Sequence, residues 1–268
     1  MLPLIIIIPI GTAFIISLFG KSYKKLPEIL ANLACALAVV LSFWFFYELR
    51  AVNYQPLVYK VGGWIPPIGI CMVVDGLTAV MLVVVNVIAL MAVIFSVSYI
   101  ERYTDKWKYY TLFMIMLTSM NGLVISGDMF NLYVFLELGT ISSCALIAFG
   151  TGQEELEASF KYVVLGTVAS TFILLGIAIL YGYTSSLNMA DIATTLSMGH
   201  SSGIIALLSV LFLVGFGLKS AIVPFHAWLP DAHPSAPAPI SAMLSGILIK
   251  SLGIYALVRI FFNVIGII

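Results

Sequence analysis

Charge is scarce in this sequence. Asp, Glu, Lys and Arg make up 9% of the 268 residues, and the formal net charge is zero. No basic cluster exceeds a few residues, which argues against a nucleic-acid partner. Cysteine is scarce as well. Cys35, Cys71 and Cys144 lie in or beside separate apolar runs, with no CxxC or Cys/His spacing, so no metal site is indicated. They read as small core hydrophobes. Only three histidines are present and none is central to an apolar run, which excludes a haem held between facing helix middles. No residue points to a bound quinone, and no cofactor is expected.

Apolar residues are abundant, at 62% of the chain with a mean hydropathy of +1.14. A soluble domain could not hide that much apolar surface, so the bilayer must be the solvent. Eight runs are long enough to span it: about 2–20, 27–49, 72–99, 108–126, 129–149, 158–182, 203–228 and 239–266. They lack the period-2 alternation of barrel strands, and helices pair every backbone group internally. The fold class is therefore an all-α integral membrane protein. No charge precedes the first run and the lysines follow it, so the N-terminus is not read as a cleavable signal. No soluble domain or long linker is expected.

Links after odd-numbered spans hold Lys21, Lys24, Lys25, Arg102, Lys106, Lys108 and Lys161, whereas links after even-numbered spans hold only Arg50 and Lys60. The asymmetry predicts odd links in the cytoplasm and the N-terminus outside, in a multi-pass protein of the plasma membrane. The 50–71 link, with Gly62, Gly63, Trp64, Pro66 and Pro67, reads as an ordered outer loop. Glu154, Glu155 and Glu157 read as a solvated helix start. Asp75 and Asp128 read as helix caps. His200, in a Ser/Gly-rich segment, is given no role. GFGLKS at 215–220 lacks the Gly-Lys pair and preceding strand of a phosphate loop, so it is rejected as one.

Three charges fall well inside apolar runs: Glu137, Lys219 and Lys250. Glu137 lies about 12 Å and Lys250 about 16 Å into their helices at the α-helical rise. Each isolated charge at such depth costs at least about 2.5–3.5 kcal/mol. One carboxylate and two amines read as a Glu137–Lys219 pair plus Lys250 as a proton carrier. Pro224 sits inside the seventh run, where its ring opposes the carbonyl of Ser220, beside Lys219. Irregular backbone at membrane depth is tolerated where it lines a wet cavity, as a proton path needs. His226 and His233 are relay candidates, since histidine titrates near neutral pH. Two blander readings stand beside these: the ion pair only locks two helices, and His226 anchors at the interface next to Trp228. Asp231 reads as a turn or cap residue.

The stretch from Lys219 to Lys250, with PFHAWLPDAHPSAPAPISAMLSGILIK, resembles the proton-conducting antiporter-like subunits of respiratory complex I, Mrp-type antiporters and membrane-bound hydrogenase-like complexes. GDMFNLYVFLELGTISSCALIAFG, residues 127–150, looks most like the D-type branch of the Mrp antiporters. The resemblance implies that Glu137 pairs with Lys219 on a discontinuous seventh helix. It also implies that Lys250 carries the proton of a half-channel and that His226 and His233 belong to the relay. Family members have two inverted five-helix repeats after three extra helices. Here the resemblance implies a three-helix segment, residues 1–105, and one repeat, residues 106–268, with the second repeat on a neighbouring membrane protein. The alternatives are a structural subunit packed against a full-length homologue, or a small-molecule carrier completed by dimerisation.

Overall fold

All eight apolar runs form helices in the structure, a computed structural model that describes residues 1–103, 105–199 and 202–266. His200 lies outside the described residues. In chain order, α1 spans Leu4–Phe19 and α2 spans Leu26–Ala51. A hairpin follows, with β1 at Leu57–Lys60 antiparallel to β2 at Cys71–Val74. Then come α3 (Gly76–Tyr99), α4 (Lys106–Val124), α5 (Met129–Ile147) and α6 (Gln153–Thr184). The chain closes with α7 (Met189–Ser197), α8 (Ser202–Lys219), α9 (Leu229–Ser235) and α10 (Ala238–Ile265). Six of these, α2, α3, α5 with the turn after it, α6, α8 and α10, are long and apolar enough to cross a membrane; α1 is apolar but shorter.

The core sits around α4, which is walled by α1, α2, α3 and α5. From Tyr109 to Val124 its residues are mostly buried, including Thr118, Ser119 and Asn121. A helix wrapped by protein can carry polar groups if they are paired. Asn86 of α3 donates to Asn121 Oδ1 at 2.9 Å and to Ser42 Oγ of α2 at 2.9 Å, and Asn121 donates back to Asn86 at 3.0 Å.

The links after α2, α4 and α6 meet at one end of the bundle. Val73 N donates to Ile125 O at 2.8 Å, Gly127 N to Cys71 O at 3.0 Å, and Met189 N to Gly127 O at 3.0 Å. The loop expected in 50–71 is thus anchored by a hairpin whose second strand pairs with the α4–α5 link. The short α7 was not expected; Asn188 starts it, its side chain accepting from Ala190 N at 3.2 Å and Asp191 N at 3.3 Å. At the opposite end Lys106 pairs with Glu28 at 3.0 Å, and Lys161 pairs with Glu157 and Asp231, each at 2.8 Å. Asp231, expected as a cap or turn residue, therefore ties α9 to α6.

Candidate functional site

Glu137 and Thr140 are three residues apart on α5, so both face α6 and the end of α8. Lys219, the last residue of α8, donates from Nζ to Thr140 Oγ1 at 2.6 Å and lies 3.5 Å from Glu137 Oε1. Ser170 of α6 donates to the same Glu137 oxygen, and Gly166, one turn earlier on α6, leaves room for the ammonium. The Lys219 side chain is 5% exposed and that of Glu137 29%. Beside them a cavity of about 10 Å³, lined by Tyr162, Lys219, Trp228 and Leu252, is at the lower limit for one water. Thr140 and Ser170 could not be chosen from the sequence. Their hydroxyls are two among many, and only the α5–α6 facing picks them out.

The helix break begins at Lys219, earlier than the run 203–228 implies. Ala221 takes a left-handed conformation, at φ 51°. Its N–H bonds to Leu218 O at 3.2 Å, and the N–H of Ile222 bonds to Gly217 O at 3.0 Å. That pair of bonds is the Schellman ending, so the helix is closed by its own C-cap and not by the ring of Pro224. Trp228 Nε1 donates to Leu218 O at 2.9 Å, a second bond to the carbonyl that already accepts from Ala221 N–H at the cap. The indole also packs edge-on against Tyr162, at 4.9 Å between ring centres. Trp228 is itself buried.

The other sequence-predicted residues lie apart from this pair. Lys250 is exposed on the side of α10 and donates to the carbonyl of Ser245 in its own helix. His226 is exposed, in the segment after the break. His233, on α9, bonds through Nδ1 to Ser241 Oγ of α10 at 2.9 Å. Burial, then the ammonium of Lys250, push the His233 imidazole below its ordinary value. His233 and Lys250 therefore share one electrostatic neighbourhood, while Glu137 and Lys219 form another.

A fourth deep charge was missed. Arg259 lies on α10, six residues before its end, and forms an ion pair with Asp75. The signal was present, since Arg259 falls inside the run 239–266. Asp75 does cap α3, accepting from Thr78 N at 2.9 Å, and Asp128 caps α5 likewise through Asn131 N at 2.9 Å. Burial alone would raise the Asp75 carboxyl, but the bonds from Arg259 and Thr78 outweigh it and hold the group at about 2.

Several known proteins are similar to this chain. The family model described as NADH:quinone oxidoreductase/Mrp antiporter, TM, matches residues 126–267, and the model for the complex I chain 5 N-terminus matches residues 64–110. The chain is 39% identical over 234 residues to NADH-quinone oxidoreductase subunit N of Desulforudis audaxviator, covering 87% of this chain and 46% of that protein. It is 32% identical over 261 residues to the D subunit of the Na(+)/H(+) antiporter of Alkalihalophilus pseudofirmus, covering 96% and 52%. Among solved structures it resembles a chain of the membrane-bound sulfane sulfur reductase, an archaeal respiratory membrane complex, with a TM-score of 0.91 at 32% identity, covering 99% of this chain and 54% of that one. The chain spans about half the length of the curated relatives it matches. With the first model matched from Ser126 almost to the last residue, the chain belongs to the NADH:quinone oxidoreductase/Mrp antiporter membrane family.

Proposed function

We propose that this chain is an ion-translocating membrane subunit of a multi-subunit respiratory or antiporter complex. In this reading Glu137, Lys219 and Lys250 form a proton half-channel with His226 and His233 as relay, all within residues 106–268. The observation that carries it is Lys219 at the closed-off end of α8, its ammonium held by Glu137 and Thr140 beside irregular backbone. A lysine so placed can give up and regain a proton while its counter-charge stays fixed. His233 and Lys250 supply the next titratable groups along α9 and α10. The partners are other membrane subunits, a full-length homologue among them. Redox chemistry or sodium exchange elsewhere in the complex would drive the protons. The protein would sit in the plasma membrane with its N-terminus outside.

One observation favours a second reading, a structural subunit without its own transport: Lys250 faces outward and is bonded within its own helix. Replacing Lys250 by Met and measuring proton and sodium movement by the assembled complex separates the two. The half-channel predicts a loss of about tenfold or more, as for a removed proton-transfer group. Unchanged transport with normal assembly selects the structural reading.

A further inference from the structure

Arg259 is unusual in how completely it is used. A guanidinium has five N–H donors. Here Nε donates to Tyr255 Oη at 2.8 Å, and Nη1 donates to Asp75 Oδ2 at 2.5 Å and Asn263 Oδ1 at 3.2 Å. Nη2 donates to Asp75 Oδ1 and, at 2.7 Å, to Thr78 Oγ1. Tyr255 in turn donates to Val124 O of α4 at 2.6 Å and lies 3.0 Å from Thr78 Oγ1. A cavity of about 360 Å³ opens beside the cluster, lined also by Cys71 and Asn188. With every donor of Arg259 occupied, the cluster has nothing to offer an anion in that cavity. Its chemistry is that of a clasp between α10, the start of α3 and the end of α4.

A clasp matters here because of what it holds. Most of α10 is wound in wide, π-type turns, over Leu244–Leu248, Lys250–Tyr255 and Arg259–Ile265. Such turns are rare and cluster at functional sites, and each one rotates the helix beyond it. The helix runs antiparallel along α3: Ala238–Met243 packs against it, Gly246 faces Ile88, and Arg259 reaches Asp75. The stretch bearing Lys250 lies between, against α8, where Gly253 meets Ser220. Charged pairs inside proteins are weak sources of stability, and their best-attested use is to fix register.

We propose that the Asp75–Arg259 pair is the register lock of α10, setting where the Lys250 side chain stands against α8. The inference concerns the position of Lys250, whether or not that lysine carries protons. The test uses the chain assembled with its native membrane partners and Lys250 replaced by Cys. The labelling rate of residue 250 by a water-soluble maleimide is read by peptide mass spectrometry, so that Cys35, Cys71 and Cys144 do not interfere. Asp75→Asn keeps a good N-cap for α3 but removes the charge. The neutral pair Asp75→Asn with Arg259→Met removes both charges and leaves no unpaired charge. The lock predicts a change in labelling of about fivefold or more in either variant, a typical size for coupling between two sites. Unchanged labelling in assembled complexes of both variants overturns it. Failure of both to assemble also overturns it, because the pair is then a stability element. In complexes that retain Lys250, altered transport should accompany these variants; altered labelling with unaltered transport leaves the lock standing and counts against the half-channel.

Discussion

Lys219 is held by two groups of different kinds, and they contribute differently. Thr140 is the closer, at 2.6 Å, but only Glu137, at 3.5 Å, offsets the charge. Removing the carboxylate charge therefore leaves a buried cation with a hydroxyl alone. Glu137→Gln keeps the shape and an acceptor for Ser170, and should lower stability by about 2 kcal/mol. That is less than the cost of breaking a fully buried pair, because Glu137 keeps 29% of its side chain exposed. Adding Lys219→Met should recover most of the loss, since the orphaned charge goes with it. Thermal unfolding of the single and double variants in detergent checks both statements, and a double variant no better than Glu137→Gln would contradict them. At this scale the sequence is legible where a charge interrupts an apolar run, as at Glu137, Lys219 and Lys250. Arg259 is open to the same argument, but its partner Asp75 is already accounted for as a cap. One residue doing two jobs leaves no second signal in sequence.

Helix packing turns on how closely backbones approach, which sequence periodicity does not show. A Cβ at Gly253 would lie 2.0 Å from Ser220 Oγ and 2.8 Å from Ser220 Cα, so α10 crosses the break after Lys219 with no room for a methyl group. At Gly246 the nearest atom to such a Cβ is Ile88 Cγ2, at 3.8 Å, an ordinary contact. The same substitution should therefore act in opposite directions two turns apart. Gly246→Ala should stabilise by about 0.5–1 kcal/mol through helix propensity. Gly253→Ala gains that term too but forces backbone apart, and should destabilise by about 1–2 kcal/mol net. Melting temperatures of the two variants moving the same way would show that the α10–Ser220 contact is not as tight as described. The helices themselves are readable from apolar run length. The end of α8 is misplaced by sequence reasoning because the proline is the visible breaker, whereas the break is made by backbone bonds around a left-handed alanine. The hairpin and α7 are not readable, since their backbone is satisfied by a seam between three distant links.

Over the whole molecule, charge distribution and connectivity agree. The links after α2, α4 and α6 are knitted together at one end, so helices alternate direction as short connections require. Lys60 belongs to that end through β1, and Arg50 closes α2 there. Lys21, Lys24, Lys25, Lys106 and Lys108 belong to the other end, before α2 and at the start of α4. Positive side chains in short links resist translocation, so the lysine-rich end should face the cytoplasm. Single cysteines introduced at Lys24 and Lys60, both exposed, test this. An impermeant maleimide added to right-side-out vesicles should label Lys60→Cys promptly and Lys24→Cys only after the membrane is opened. Cys35 and Cys71 are buried and Cys144 is partly so, which keeps the background low. The reverse pattern would turn the whole bundle over. Glu137, Lys219 and the Asp75–Arg259 clasp would keep their mutual geometry, but the clasped end of α10 would face the cytoplasm, and any proton path through Lys250 would run in the opposite sense.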